Sequence, residues 1–117
     1  VTPPAFHHLF IHVRDLARTR RFYERLGMQV QVEEPGYLRL GGEGGFAIGF
    51  EERAPSDVGA AGIEIDILVR DVDDLAGQLR EAGVPVTAPS DQAWGARHAW
   101  FHDPDGYRLS IYSELPS

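Results

Sequence analysis

The side chains with the most chemistry to offer are His8 and His12 near the start, Glu64 and Asp66 in the middle, and Trp94, His98, Trp100, His102, Ser110 and Tyr112 toward the end. Imidazoles titrate near neutrality and serve as bases or metal ligands, carboxylates attract cations, and indoles stack on flat ligands. His8 and His12 lie four residues apart on one strand, about 13 Å at the strand rise, so they cannot share an ion. His7 should face the opposite way, as a surface or strand-entry residue. Ser110, His98 and Asp66 are the residue types of a nucleophilic triad, but nothing in their spacing supports a nucleophile elbow or an oxyanion hole.

Other chemistries are absent by composition. The chain has no cysteine, which removes disulfides, thiolate metal sites and a cysteine nucleophile. All 11 of its basic residues are Arg, which removes a Schiff-base lysine. A formal charge of −7 opposes binding to nucleic acid, whose affinity comes from Lys and Arg neutralising phosphates. With 117 residues, the expectation is one domain over 1–117. No apolar run approaches the roughly 20 residues of a membrane span, and Val1-Thr2-Pro3-Pro4 lacks the layout of a signal peptide, so the cytoplasm is the expected compartment.

The elements that must position these residues occur twice. Val13-Arg14-Asp15-Leu16 recurs as Val69-Arg70-Asp71-Val72, and Gly27 with Val30 recurs as Gly83 with Val86, every pair 56 positions apart. Each copy opens with a strand of period two: Leu9, Ile11 and Val13 share one face in the first, and Ile65, Ile67 and Val69 in the second. The opposite faces carry His8, Phe10 and His12, and Glu64, Asp66 and Leu68. A helix follows, with Asp15 or Asp71 as N-cap and Gly27 or Gly83 as its stop. Its apolar stripe is Leu16, Phe22, Tyr23 and Leu26 in the first copy, and Val72, Leu75, Leu79 and Ala82 in the second.

Three strands complete each copy: 28–33, 37–40 and 46–51 in the first, and 84–88, 96–102 and 107–112 in the second. The segment 52–61 reads as a linker, and residues 89–95 and Asp103-Pro104-Asp105-Gly106 as loop and turn. The repeats span about 6–51 and 62–113. Alternation sends Phe46, Ile48, Phe50, Phe101, Leu109 and Ile111 toward the helices. It leaves Ala47, Gly49, Glu51, His98, Trp100, His102, Arg108, Ser110 and Tyr112 on a free, largely polar face. The fold class is thus α+β, tandem βαβββ units whose curved mixed sheets form a cup with the helices outside.

The run from His8 to Leu16, then Phe22-Tyr23, Leu26-Gly27 and Asp103-Pro104-Asp105-Gly106-Tyr107, resembles the vicinal oxygen chelate superfamily of glyoxalases, bleomycin-resistance proteins and extradiol dioxygenases. The resemblance spans nearly the whole chain and implies paired βαβββ units in a homodimer. It also implies up to four inner-face metal ligands, which fall on His8, Glu64, Gly49 or its neighbour, and Ser110. Glycine offers no donor, and a neutral Ser hydroxyl replaces an anionic oxygen poorly. Glu51, Asp66 and Tyr112 are each two residues, about 7 Å, from a ligand position. His8 and Glu64 then form either an incomplete metal site or a metal-free hydrogen-bonded pair beside the pocket.

The stretch from Asp91 to Arg97, running into Trp100, Phe101 and Asp103-Pro104, resembles bleomycin-resistance proteins, which sequester a planar cationic antibiotic without metal. Trp94 either stacks on such a ligand or packs the loop onto the domain. The leading expectation is a dimeric small-molecule binding protein that takes up an aromatic or cationic compound without a cofactor, through His8, His12, Glu64, Asp66, Trp94, His98, Trp100, Ser110 and Tyr112. The alternative is an enzyme of lyase, isomerase or dioxygenase type. In it a divalent metal on His8 and Glu64 polarises the substrate, with His12, His98 or His102 as base. A metal-independent isomerase or lyase using His and Glu as base and acid is a third reading.

Overall fold

Strand β1 (Leu9–Val13) leads into helix α1 (Leu16–Glu24), then β2 (Gln29–Glu34), β3 (Tyr37–Gly41) and β4 (Ala47–Glu52). The same order returns as β5 (Glu64–Leu68), α2 (Val72–Glu81), β6 (Ser90–Asp91), β7 (Ala96–His102) and β8 (Arg108–Glu114). The computed structural model describes residues 7–59 and 63–116. The expected repeat starts near 6 and 62, the Val1 to Pro4 segment and the end of the linker at 60–61 lie outside them. The chain divides into two compact units, residues 1–59 and 60–117. No helix among the described residues is long and apolar enough to cross a membrane.

In each unit the first strand runs parallel to the last, and the remaining pairs are antiparallel, giving orders β1-β4-β3-β2 and β5-β8-β7-β6. This is the α+β architecture expected, with two four-stranded mixed sheets. The local signals explain both helices. Asp15 accepts from the Arg18 amide at 3.0 Å and Asp71 from the Asp74 amide at 3.0 Å, satisfying donors that the first turn leaves unpaired. Gly27 (φ 92°) and Gly83 (φ 87°) take the left-handed backbone that ends each helix.

Helix α1 packs on β3 and β4, and α2 on β7 and β8. The core of the first unit is built from Phe22, Tyr23, Leu26, Leu38, Leu40, Ile48 and Phe50, and that of the second from Ile65, Val72, Leu79, Phe101, Leu109 and Ile111.

Four expectations need correction. Residues 84–88 do not form a strand: Val86 makes one bridge to Phe101, and the ladder proper is Ser90–Asp91 against β7, inside the expected loop. Pro85 and Pro89 lack the N–H a continuous ladder needs, so the edge is broken where the first copy has a six-residue strand. Phe46 precedes β4 and is exposed. Ala82 is exposed as the helix cap, and Ala76 takes its place in the stripe. Leu9, at the open end of edge strand β1, is also exposed.

Candidate functional site

The free face of the second sheet takes its layout from strand register. β5 aligns Glu64, Asp66 and Leu68 with Arg108, Ser110 and Tyr112 of β8, and β8 aligns these in turn with His102, Trp100 and His98 of β7. Alternation therefore delivers the expected side chains to one surface. The Trp100 and His98 rings lie 5.1 Å apart at 15°, and those of His98 and Tyr112 4.9 Å apart at 11°, so His98 is sandwiched in a row of aromatic plates. Arg108 covers the Trp100 ring, its Cζ 5.8 Å from the centroid.

A directed hydrogen-bond chain crosses this row. The Trp94 indole Nε1–H donates to His98 Nε2 at 3.2 Å, His98 Nδ1 lies 3.1 Å from Ser110 Oγ, and Ser110 Oγ donates to Asp66 Oδ1 at 2.9 Å. Ser110, His98 and Asp66 are thus joined, in an order that does no nucleophilic chemistry. The hydroxyl sits in the middle, fully buried, and donates its hydrogen bond to the Asp66 carboxyl instead of the imidazole. Trp94 is tied to the face through its indole N–H, as the loop-packing alternative expects, while 66% of the residue remains exposed.

The two carboxyls of this face titrate apart. Burial, and then the hydrogen bond to Glu64, push Asp66 above the usual carboxylate range. The hydrogen bond from Asp66, aided by Arg108 and Trp100, holds Glu64 below it. Of the two, Asp66 takes up a proton first as pH falls, and the Glu64 carboxylate accepts from Arg108 Nε at 2.5 Å.

In the first unit, register makes Gly49 the counterpart of Ser110 and Tyr37 the counterpart of His98. A Cβ at Gly49 would meet the Tyr37 hydroxyl at 2.6 Å and His8 Cδ2 at 3.1 Å. Tyr37 was not among the expected residues, although the Leu38 and Leu40 alternation places it on the free face. Phe10 stacks with Tyr37 at 6.3 Å and meets His12 edge-on at 5.6 Å, and His12 Nδ1 lies 3.3 Å from the Asp57 carbonyl. His7 does not turn away as expected. Its Nδ1 lies 2.7 Å from that of His8, because β1 begins only at Leu9 and strand alternation does not reach them. His7 and His8 border a hollow of about 430 Å³ with Leu9, Phe46 and the Gly44-Gly45 turn.

These residues do not fit the metal that the fold family implies. Gly49 has no donor and the space above it is taken by Tyr37, Ser110 Oγ is engaged with Asp66 and His98, and Glu64 is neutralised by Arg108. Among the described residues no three His, Asp or Glu side chains gather as ligands.

Residues 5–111 match the family model of the Glyoxalase/Bleomycin resistance protein/Dioxygenase superfamily. No curated protein matches the chain. Similar solved structures include TnmS3, an antibiotic binding protein from Streptomyces sp. CB03234, at 24% identity and TM-score 0.82, covering 97% of this chain and 98% of that one. The bleomycin resistance determinant encoded on transposon Tn5 aligns at 25% identity and TM-score 0.71, covering 97% and 98%. A glyoxalase/bleomycin resistance protein/dioxygenase from Nocardioides aligns at 20% identity and TM-score 0.77, covering 100% and 87%.

Proposed function

The chain belongs to the glyoxalase/bleomycin resistance protein/dioxygenase superfamily, and from that premise we propose that it binds and sequesters an aromatic or cationic small molecule without a metal ion. The observation that carries this reading is the row of parallel rings Trp100, His98 and Tyr112, bordered by the exposed Trp94 and the Glu64–Asp66 pair. Aromatic plates take flat ligands at low entropic cost and attract cations through their ring faces, and the neighbouring carboxyls offer hydrogen-bond acceptors to a polar edge. The metal-dependent alternative draws no support from the donor set. Two relatives of this fold, TnmS3 and the Tn5 determinant, are described as antibiotic binding and bleomycin resistance proteins, which is the kind of role proposed. A homodimer is part of the proposal and is checked by sedimentation equilibrium.

The test is a fluorescence titration of chelator-treated protein against planar cationic compounds, with proflavine and bleomycin as probes. Saturable quenching of the tryptophans at one site per chain is the expected result. No binding by either compound, together with stoichiometric metal in protein purified without chelator, would sink the reading.

One observation favours a second reading, a metal-independent lyase or isomerase. Neighbouring carboxyls whose affinities for a proton are driven apart are the arrangement of an acid and base pair. Turnover that is lost in Glu64→Gln and retained with chelator present would select it.

A further inference from the structure

We infer that His98 is a positioning residue that latches Trp94 onto the ligand face, with its proton placed by Ser110 and Asp66. The inference takes its ligand from the binding reading above, but its geometry stands independently. An indole N–H can only donate, so the Trp94 to His98 bond at 3.2 Å makes Nε2 the acceptor. A neutral imidazole that accepts at Nε2 carries its hydrogen on Nδ1, and that hydrogen points to Ser110 Oγ at 3.1 Å. The Ser110 hydroxyl, holding that bond as acceptor, passes its own hydrogen to Asp66 at 2.9 Å. Every donor in the chain points one way, from the exposed indole to the carboxyl on β5.

Burial makes the arrangement stiff at one end and open at the other. His98 is 6% exposed and held between Trp100 and Tyr112, so its ring cannot turn over to offer the other nitrogen without breaking the stack. Trp94 is 66% exposed and meets His98 edge-on at 5.5 Å and 75°. A large ring left so exposed has little packing to fix its rotamer, and a bond to a rigid acceptor supplies the constraint. A ligand that stacks on Trp94 then meets a plate already in place, which lowers the ordering cost of binding. Ser110 and Asp66 act through His98 in this scheme and need not touch the ligand.

The experiment has two parts. Ligand-free protein labelled with ¹⁵N is measured at about pH 8, above the ordinary imidazole range. The expected spectra show His98 protonated at Nδ1 and the Trp94 indole N–H slow to exchange. A hydrogen on Nε2, or an indole N–H exchanging like a free one, overturns the latch. In the second part proflavine is titrated into wild type, Trp94→Phe, His98→Phe and the double variant. Trp94→Phe keeps a ring and removes the donor. His98→Phe keeps the stacked ring and removes the acceptor. Each single change should weaken proflavine binding about five-fold, the worth of one net hydrogen bond, and the double variant no further. Unchanged affinity in His98→Phe, or fully multiplicative losses in the double variant, contradicts a role through Trp94. If His98→Phe fails to fold, the wild-type spectra and Trp94→Phe still decide. If wild type binds no proflavine, the binding reading loses its support while the ligand-free spectra judge the latch separately.

Discussion

Glu64 and Asp66 lie two residues apart on one face of β5, and burial, followed by the hydrogen bond to Glu64, raises Asp66 against the opposing pull of the hydrogen bond it accepts from Ser110. A carboxyl raised above its unfolded value stabilises the fold below the ordinary Asp range, and that stabilisation is lost as pH rises through the folded value. Asp66→Asn keeps an acceptor for Ser110 and a donor for Glu64 without the charge. It should raise the thermal midpoint at about pH 7, with the gain fading as pH falls toward about 4, the unfolded Asp value. An equal loss at all pH values in a scanning melt would refute a raised Asp66. Gly49 gives a second residue-level prediction. Gly49→Ala pushes its Cβ into the Tyr37 hydroxyl at 2.6 Å, a crowding that should cost about 1–3 kcal/mol in urea unfolding. Tyr37→Phe in the same chain should recover part of that loss, so the two changes are non-additive. None of these pairings was legible in sequence. The residue types could be assigned to a face, but which side chain takes which proton depends on cross-strand register. The Leu38 and Leu40 alternation puts Tyr37 on the free face, but only cross-strand register sets its hydroxyl over Gly49.

At the scale of elements, local signals carried most of the information. The caps at Asp15 and Asp71, the helix stops at Gly27 and Gly83, and the period of β5 are short-range patterns, and each appears in place, whereas β1 forms as a strand without the expected alternation of burial. The edge of the second sheet did not follow, because Pro85 and Pro89 remove ladder donors while the flanking Val84, Val86 and Thr87 still read as a strand. What holds that irregular edge is Arg97, whose Nε and Nη2 grip Asp73 of α2 at 2.9 Å while Nη1 reaches Asp91 of β6 at 2.9 Å. The Arg97 hydrogen bonds hold Asp73 below the usual carboxylate range. A depressed carboxyl stabilises above its unfolded value and loses that contribution as pH falls through the folded one. Arg97→Ala should therefore lower the thermal midpoint at neutral pH, and the gap to wild type should close below about pH 4. Raised salt should narrow it as well, since the groups are open to solvent.

At the scale of the whole molecule, the duplication supplies a scaffold whose two copies have diverged in chemistry. Equivalent register positions hold Phe10 and Asp66, Gly49 and Ser110, Tyr37 and His98. In both units a ring on the penultimate strand of the unit covers a small residue on its last strand, at a place the family uses for a metal ligand. The 56-residue offset made the two copies visible from sequence, and it also paired His8 with Glu64. It could not reveal that Glu64 is committed to Arg108, because that partner comes from a strand 44 residues away.

The proposed binding of a flat ligand on the ringed face of the second unit requires no metal. A ¹H–¹⁵N titration with proflavine in excess EDTA tests it most directly. Saturable shifts are expected, centred on the Trp94 indole and the amides of Asp66, His98, Trp100, Ser110 and Tyr112. Shifts that appear only after a divalent ion is added, or that leave these residues untouched while others respond, would contradict it.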